Sequence, residues 1–278
     1  MIEIKSNPSE FTVENGELKK FSGNSNCLVL PSEISRVGDY AFFRKSHIHK
    51  VEIPDSVIEI GELAFYYCTG LTQIEFPKNL KLIGKSAFAN SFLRSVEIPD
   101  SVEDILESAF AYTSNLRRIK LNDRVSEIKY STFCCSAIKE LEIPSAIKVL
   151  GPSSFGACHE LKNITFSNGL VEIAEMAFFW CDQLVCVELP KTLKKLGRES
   201  FRMCKNLRSV TLPDGLESIG SMAFKDCVSL KSIVVPDSVK EIGSDAFPSV
   251  KGFTVYCTNP SNIPLGWKLG DNVKVKKV

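Results

Sequence analysis

The sequence predicts an α/β-type repeat solenoid, in which similar coils stack in a single array. Three observations predict it. A motif recurs about every 23 residues from Leu30 to Thr258, each copy contains a short alternating apolar-polar-apolar run, and a phenylalanine recurs at a fixed place. A fixed period means that each repeat packs mainly against its neighbours. The periodicity therefore predicts the architecture, but it does not name a binding partner.

The repeats align on a residue that is proline in most copies, here called position 0 of each coil. Its occupants are Pro31, Pro54, Pro77, Pro99, Asn122, Pro144, Ser167, Pro190, Pro213, Pro236 and Thr258. Position +11 is always phenylalanine in the first ten copies: Phe42, Phe65, Phe88, Phe110, Phe133, Phe155, Phe178, Phe201, Phe224 and Phe247. We expect this column to fill the interior, where truncation to alanine typically costs about 3–5 kcal/mol.

A strand is predicted just before position 0. Runs such as Ile74-Glu75-Phe76 and Val96-Glu97-Ile98 alternate with strand periodicity. Stacked in register, they should form a long parallel sheet along one face, and proline should end the pairing. The rest of each coil is too short for a long helix, so we expect turns, short 3₁₀ or helical pieces and a second short strand.

A glycine column lies at position +7, directly after an aliphatic residue. Its members include Gly61, Gly84, Gly151, Gly197, Gly220 and Gly243. Glycine suits a tight corner and would allow a positive φ there. Because Leu106, Lys129 and Ala174 occupy the same column, glycine is a preference at this position.

Both ends depart from the repeat. Asn15-Gly16 between apolar runs is a hairpin signal, and the C-terminal stretch around Trp267 is irregular. We therefore predict an N-terminal hairpin cap at residues 1–27 and a solenoid of about ten coils at residues 28–258. A C-terminal cap should follow at residues 259–278.

The repeat motif closely resembles the BspA-like leucine-rich repeat family. One clear copy carries Ile53-Pro54-Asp55-Ser56-Val57, Ile60-Gly61, Ala64-Phe65, Cys68 and Leu71. The resemblance covers about residues 28–258 and recurs some ten times. It implies a right-handed leucine-rich-repeat superhelix with a parallel strand face. It also implies a surface or secreted protein that works in adhesion or protein binding, with no catalytic site in the repeat.

The net charge, the apolar runs and the N-terminal residues limit which partners and which cellular compartment we expect. A net charge of +1 gives no global attraction to nucleic acid or to an anionic membrane. We therefore predict no nucleic-acid partner. No apolar run approaches the ~18 residues of a membrane span, so we also predict no membrane insertion. The N-terminal Met1–Ser6 has no apolar signal region. The sequence thus favours a cytoplasmic protein, whereas the family resemblance favours the cell surface.

The cysteines and histidines offer little chemistry. Position +14 is occupied by Cys68, Cys158, Cys181, Cys204 and Cys227. We interpret these as small buried residues, and the adjacent Cys134 and Cys135 are not expected to pair. Metal ligation would need clustered ligands, which the spacing lacks. We predict no metal, no cofactor and no enzyme activity, with the three histidines as solvated corner residues.

The outward side chains of the strands are the best candidate site. Position −2 is largely acidic and position −5 largely basic, which permits two interpretations: mutual neutralisation of the two stripes, or a charged protein-binding surface. The candidate binding residues are Glu75, Arg94, Glu97, Arg117, Arg118, Lys120, Glu142 and Glu188. The predicted function is a monomeric, non-enzymatic protein-interaction or adhesion module with an unidentified protein partner. The alternative is an architectural spacer or assembly unit with no specific ligand.

Overall fold

The computed structural model describes residues 7–257 and 274–277. The chain divides into two compact units, Met1–Ile138 and Lys139–Val278. Each unit is a stack of coils built from parallel strands and turns. A single 3₁₀ turn, Pro8–Glu10, precedes the first strand. The described residues include no α-helix, so the α/β part of the predicted fold class is not confirmed, whereas the stacked parallel strands are.

The first unit has one strand before position 0 in each coil and a second, shorter strand after it. The strands before position 0 are β3 (Cys27–Val29), β5 (Lys50–Glu52), β7 (Gln73–Glu75), β9 (Ser95–Glu97) and β11 (Arg118–Lys120). The second strands are β4 (Arg36–Val37), β6 (Glu59–Ile60), β8 (Leu82–Ile83), β10 (Asp104–Ile105) and β12 (Glu127–Ile128). The predicted second strand is therefore present in every coil of this unit.

The longer ladder in the first unit runs through the second strands. They pair in parallel in the order β4–β6–β8–β10. The strands before position 0 form two shorter ladders, β3–β5–β7 and β9–β11. The prediction of one long sheet on that face is thus corrected: the strand face exists, but its hydrogen-bonded ladder is segmented.

An antiparallel hairpin precedes the first coil, as the Asn15-Gly16 signal predicts. It consists of β1 (Phe11–Glu14) and β2 (Glu17–Phe21). Asn15 and Gly16 have φ values of 51° and 75°, and two positive φ values are typical of a tight two-residue turn. β2 then pairs in parallel with β4, so the hairpin continues the ladder of second strands.

The second unit repeats this arrangement. Its strands before position 0 are β13 (Glu140–Ile143), β15 (Asn163–Phe166), β17 (Cys186–Glu188), β19 (Ser209–Thr211), β21 (Ser232–Val234) and β23 (Thr254–Cys257). Its second strands are β14 (Val149–Leu150), β16 (Glu172–Ile173), β18 (Lys195–Leu196), β20 (Ser218–Ile219) and β22 (Glu241–Ile242). The second strands again form one ladder, β14–β16–β18–β20–β22.

The C-terminal part is described only in part. Strand β24 (Lys274–Lys277) pairs in parallel with β23, which itself pairs with β21. The rest of the predicted cap at residues 259–278, with Trp267, lies outside the described residues. The cap boundaries and the right-handed winding of the coils stay predictions.

The turn around each phenylalanine is hydrogen-bonded from coil to coil, which explains why no helix is needed there. The N–H of Phe42 donates to the carbonyl of Ala64, and the N–H of Phe65 donates to that of Ala87, both at 2.8 Å. The residues at positions +9 and +13, such as Leu63 and Tyr67, have positive φ values. Backbone polar groups are thus satisfied alternately between coils and within the turn, where for example the N–H of Tyr66 donates to the carbonyl of Leu63 at 3.1 Å.

The phenylalanine column forms the core of each unit, as predicted. The rings from Phe42 to Phe224 at position +11 are fully buried, and Phe247 is 5% exposed. In the first unit the Phe42 and Phe65 rings stack with centroids 4.7 Å apart. Phe21 of the hairpin extends this column, with its ring centroid 5.5 Å from that of Phe42.

Close approach between coils, and not a positive φ, explains the glycines at position +7. Among described residues, the glycines with positive φ are Gly16, Gly169 and Gly252, none of them in this column. A Cβ on Gly84 would lie 2.5 Å from the carbonyl carbon of Gly61 in the preceding coil. The predicted tight packing is present, while the suggested backbone conformation is wrong.

Candidate functional site

The strand face is the surface formed by side chains at positions −5, −4 and −2. Strand alternation exposes it: in β9, Ser95 and Glu97 are exposed while Val96 is buried. The aliphatic side chains at position −3 anchor each strand to the core, so the polar side chains between them point outward. Alternation places Glu97 and Lys120 outward, and all eight predicted binding residues are exposed.

The predicted residues divide between the two units. Six of them lie in the first unit: Glu75, Arg94, Glu97, Arg117, Arg118 and Lys120. Glu142 and Glu188 lie in the second unit. The register of β9 and β11 brings three of the first six together, because Lys120 lies opposite Glu97 and Arg118, on the same strand as Lys120, lies opposite Ser95. The N–H of Arg117 donates to the carbonyl of Arg94 at 3.0 Å, so these two arginines occupy equivalent places in neighbouring coils.

Some charges of the strand face neutralise one another, but through lysines at positions −2 and −4 and not between the acidic and basic stripes. The ammonium of Lys120 forms an ion pair with Glu97, and this hydrogen bond raises the pKa of Lys120. Lys50 contacts Glu52 at 2.7 Å and Glu75 at 3.0 Å. The two glutamates likewise raise the pKa of Lys50 by hydrogen bonding. Glu75, Glu97 and Lys120 are therefore engaged within the protein.

The arginines of the first unit are not neutralised in this way. Arg94, Arg117 and Arg118, here called the arginine patch, are all exposed. In the part of the chain that the structure describes, none of the three forms an ion pair within 4.0 Å or a ring contact. Arg94 and Arg117 directly precede β9 and β11 at equivalent places in neighbouring coils, where like charges repel each other. The patch is thus an uncompensated positive surface.

The second unit carries a different feature on the same face. Glu142 and Glu188 are exposed and form no ion pair within the described residues. Between β15 and β17, where no ladder is formed, lies a shallow cleft of about 470 Å³. Its lining includes Ile164, Thr165, Phe166, Cys186 and Glu188. Polar and apolar groups line it in similar measure, and it contains one predicted residue, Glu188.

The cysteines at position +14 are structural in the way the sequence predicts. Cys68, Cys158, Cys181, Cys204 and Cys227 have no exposed surface, and no disulfide joins any of the ten cysteines. Their thiols contact main-chain oxygen: Cys68 Sγ donates to the carbonyl of Phe42 at 3.1 Å. Burial raises the pKa of the Cys68 thiol to about 12, which makes this group a poor nucleophile at neutral pH.

Of the three histidines, His49 lies at position −5 of the strand face, whereas His47 and His159 lie on turns. His49 and His159 are exposed. His159 Nδ1 lies 3.5 Å from Asp182 Oδ1, and its ring packs edge-on against Trp180. The neighbouring Cys158 thiol is fully buried. Within the described residues no group of three or more His, Cys, Asp or Glu side chains could hold a metal ion, and no described helix is long and apolar enough to cross a membrane.

The sequence reasoning missed an aromatic cluster on the turns after the phenylalanine. Tyr40, Phe43, Tyr66 and Tyr67 pack together in the first unit, with ring centroids 5.3–5.9 Å apart. The Arg44 guanidinium lies 5.2 Å from the centre of the Tyr67 ring. The signal was available, because positions +12 and +13 are each aromatic in several copies, but their exposure depends on the turn conformation.

Comparison with known families identifies the repeat. The profile described as "BspA type Leucine rich repeat region" matches six copies in this chain, over residues 18–134 and 126–254. These two ranges include almost all the coils described above. No curated protein matches the chain significantly.

Solved structures support the fold. A leucine-rich repeat protein from Bacteroides ovatus is 23% identical, with a TM-score of 0.59, and the match covers 94% of this chain and 87% of that one. A leucine rich cell surface protein from Faecalibacterium prausnitzii is 23% identical, with a TM-score of 0.51 and coverage of 96% and 93%. The pneumococcal vaccine antigen PcpA is 19% identical, with a TM-score of 0.58 and coverage of 96% of each chain.

Proposed function

The chain belongs to the BspA-type leucine-rich repeat family, and we propose that it is a non-enzymatic module that binds an acidic protein partner through its strand face. The coils provide the support, since Val96 of β9 is buried and Ile119 of β11 is half-buried against the core. In the proposed mode, outward side chains on successive coils contact the partner together. Adhesion to an extracellular protein is one form of this binding.

The observation that carries the proposal is the uncompensated arginine patch. Lys120 and Lys50 of the same face are paired with glutamates, while Arg94, Arg117 and Arg118 have no such partner among the described residues. A guanidinium is a planar fork that binds carboxylates through two parallel hydrogen bonds. A partner that supplies carboxylates would satisfy these donors and relieve the repulsion between the arginines.

The residues around the arginine patch favour an acidic partner segment over an apolar one. Within β9 and β11 the outward residues next to the arginines are Ser95, Glu97 and Lys120, so these positions offer a partner polar contacts and no apolar anchor. Electrostatic complementarity contributes mainly to association rate and specificity. Binding should therefore weaken as salt rises above physiological concentration, because screening shortens the range of exposed charges.

The test is affinity capture with the purified chain, followed by mass spectrometry. Cell lysate and extracellular-matrix extract serve as separate sources of partner proteins. The variant Arg94→Glu, Arg117→Glu, Arg118→Glu reverses the patch. The matched control, Lys20→Glu, Lys85→Glu, Arg124→Glu, changes the net charge equally at exposed positions outside the patch. Circular dichroism checks that both variants fold.

The proposal expects an acidic partner that the wild type and the control retain and the patch variant loses. If wild type, control and patch variant retain the same proteins, the patch is not the binding site. If no protein is enriched by the wild type from either source, the alternative of an architectural spacer is favoured.

A further inference from the structure

Two adjacent cysteines in the fifth coil place their sulfur atoms in contact at the protein surface. Cys134 Sγ and Cys135 Sγ lie 3.5 Å apart, and both residues are partly exposed. Neighbouring side chains of an extended chain point to opposite faces. Cys135, however, has a φ of 58°, and this turn conformation brings both thiols to the same side.

The surrounding hydrogen bonds hold this turn in place. The N–H of Cys134 donates to the carbonyl of Ser131 at 3.1 Å, and the carbonyl of Cys134 accepts from the N–H of Tyr112 at 2.7 Å. The pair is thus fixed at positions +12 and +13 of its coil. Once one of these sulfurs carries a mixed disulfide, the other attacks it far faster than a thiol of a separate molecule would, because their encounter is already arranged.

The pair differs from the other thiols of the chain in accessibility. Cys158, Cys181, Cys204 and Cys227 are also stacked in successive coils, but they have no exposed surface. Cys27 and Cys186 are accessible, yet neither has a contact with another sulfur among the described residues. Cys134 and Cys135 therefore combine sulfur contact with solvent access.

We propose that Cys134 and Cys135 are a modification site, at which a small-molecule disulfide oxidises the two thiols to a reversible vicinal disulfide. A hydrogen bond with Cys134 lowers the pKa of the Cys135 thiol to about 7. Cys135 is thus the attacking group at neutral pH, since the thiolate is the nucleophile in thiol–disulfide exchange.

The reaction proceeds in two exchanges. The Cys135 thiolate attacks one sulfur of the small disulfide, forms a mixed disulfide and releases the first small thiolate. The Cys134 thiol gives its proton to solvent and attacks Cys135 Sγ, which forms the protein disulfide and releases the second small thiolate. The protein loses two hydrogens in total, and the small disulfide is reduced to two thiols.

The product should be easily reduced. The Cα atoms of adjacent residues are about 3.8 Å apart, whereas disulfides usually span 4.4 Å or more. Strained disulfides are more oxidising than structural ones. The site is therefore suited to reversible oxidation. It lies on the turn after Phe133 and not on the strand face, so it is independent of the arginine patch.

The experiment treats the purified full chain with oxidised glutathione at neutral pH, quenches with acid, alkylates remaining thiols and digests with trypsin. Cleavage after Lys129 and Lys139 isolates both cysteines in one peptide, residues 130–139. The proposal predicts that this peptide loses the mass of two hydrogens and regains it with dithiothreitol. The variant Cys134→Ser should instead keep a glutathione mixed disulfide on Cys135.

Cys186 is the internal comparison, because it is exposed and has no sulfur neighbour among the described residues. It should acquire glutathione and retain it. The proposal is overturned if the wild-type peptide 130–139 keeps two free thiols, or if it accumulates the mixed disulfide without resolving it. Cys135→Ser provides the second check: if Cys134 in this variant is glutathionylated as fast as Cys135 is in the wild type, Cys135 is not the attacking thiol.

Discussion

The Cys204 thiol donates a hydrogen bond to the carbonyl oxygen of Phe178 in the preceding coil, at 3.3 Å. The same contact joins Cys227 to Phe201 at 3.1 Å and Cys181 to Phe155 at 3.2 Å. The residue at position +14 therefore does more than fill space: its thiol is bonded to the backbone of the phenylalanine column. Each such cysteine ties one coil to the coil before it.

We predict that Cys204→Ala destabilises the protein by about 1–2 kcal/mol. The substitution removes a weak hydrogen bond and leaves a small cavity where the buried sulfur lay. Urea unfolding followed by circular dichroism measures the change. Cys186→Ala is the control in the same unit, because Cys186 is exposed. Equal shifts of the two unfolding midpoints would show that the buried thiol contributes nothing specific.

The buried thiols should resist alkylation until the pH is far above neutral. Burial raises the pKa of Cys68 to about 12, and that of Cys181 and Cys204 above the ordinary range. At pH 8 the reactive thiolate is therefore scarce as well as shielded. Iodoacetamide labelling with peptide mass spectrometry should leave these three unmodified in the native protein and modify them in urea. Native labelling of Cys68 at the rate of Cys186 would contradict this.

Gly220→Ala should destabilise the second unit by about 1–3 kcal/mol, because the added methyl group overpacks the contact between coils. An added Cβ would lie 2.4 Å from the carbonyl carbon of Gly197 and 2.5 Å from the N of Arg198. Thermal unfolding of the variant checks the magnitude.

Gly215→Ala is the matched control in the same coil. A Cβ there meets no atom closer than 3.3 Å, and that atom is the flexible end of Lys194. The control should melt at nearly the wild-type temperature, because ordinary surface substitutions change the free energy of unfolding by no more than about 0.5 kcal/mol. If both variants melted alike, close approach would not be the reason for glycine at position +7.

The repeat spacing was sufficient to predict the coils, but it did not explain why each repeat position prefers its residue. The phenylalanine and cysteine columns were predicted because burial follows directly from a fixed apolar period. The role of Gly84 was misassigned, since the distance from its Cα to Gly61 depends on how two coils stack. The segmentation of the sheet before position 0 depends likewise on small differences in the separation of neighbouring strands.

The sequence predicted where the candidate site lies, and the contacts in the structure corrected which of its charges are available to a partner. Alternation showed that Glu97 and Lys120 point outward, and the structure agrees. Which of them are paired depends on side-chain conformations that no sequence pattern contains. Lys120 reaches Glu97, whereas Arg117 lies opposite Arg94, another cation.

We predict that Arg117→Gln leaves stability unchanged or raises it by a few tenths of a kcal/mol at low salt, because it removes one of two like charges on neighbouring strands. Chemical unfolding at low and at high salt measures the effect, which should vanish at high salt. The same variant should bind the captured partner more weakly. A clear loss of stability would instead indicate a structural role for Arg117.

The central claim is that a partner binds on the strand face at the arginine patch. Hydrogen–deuterium exchange of the chain with and without its captured partner tests it most directly, because it maps the contact on the intact protein. The account predicts slowed exchange in residues 94–97 and 117–120, with no change at residues 40–44 on the turns. Protection confined to the turns, with residues 94–97 and 117–120 unaffected, would contradict it.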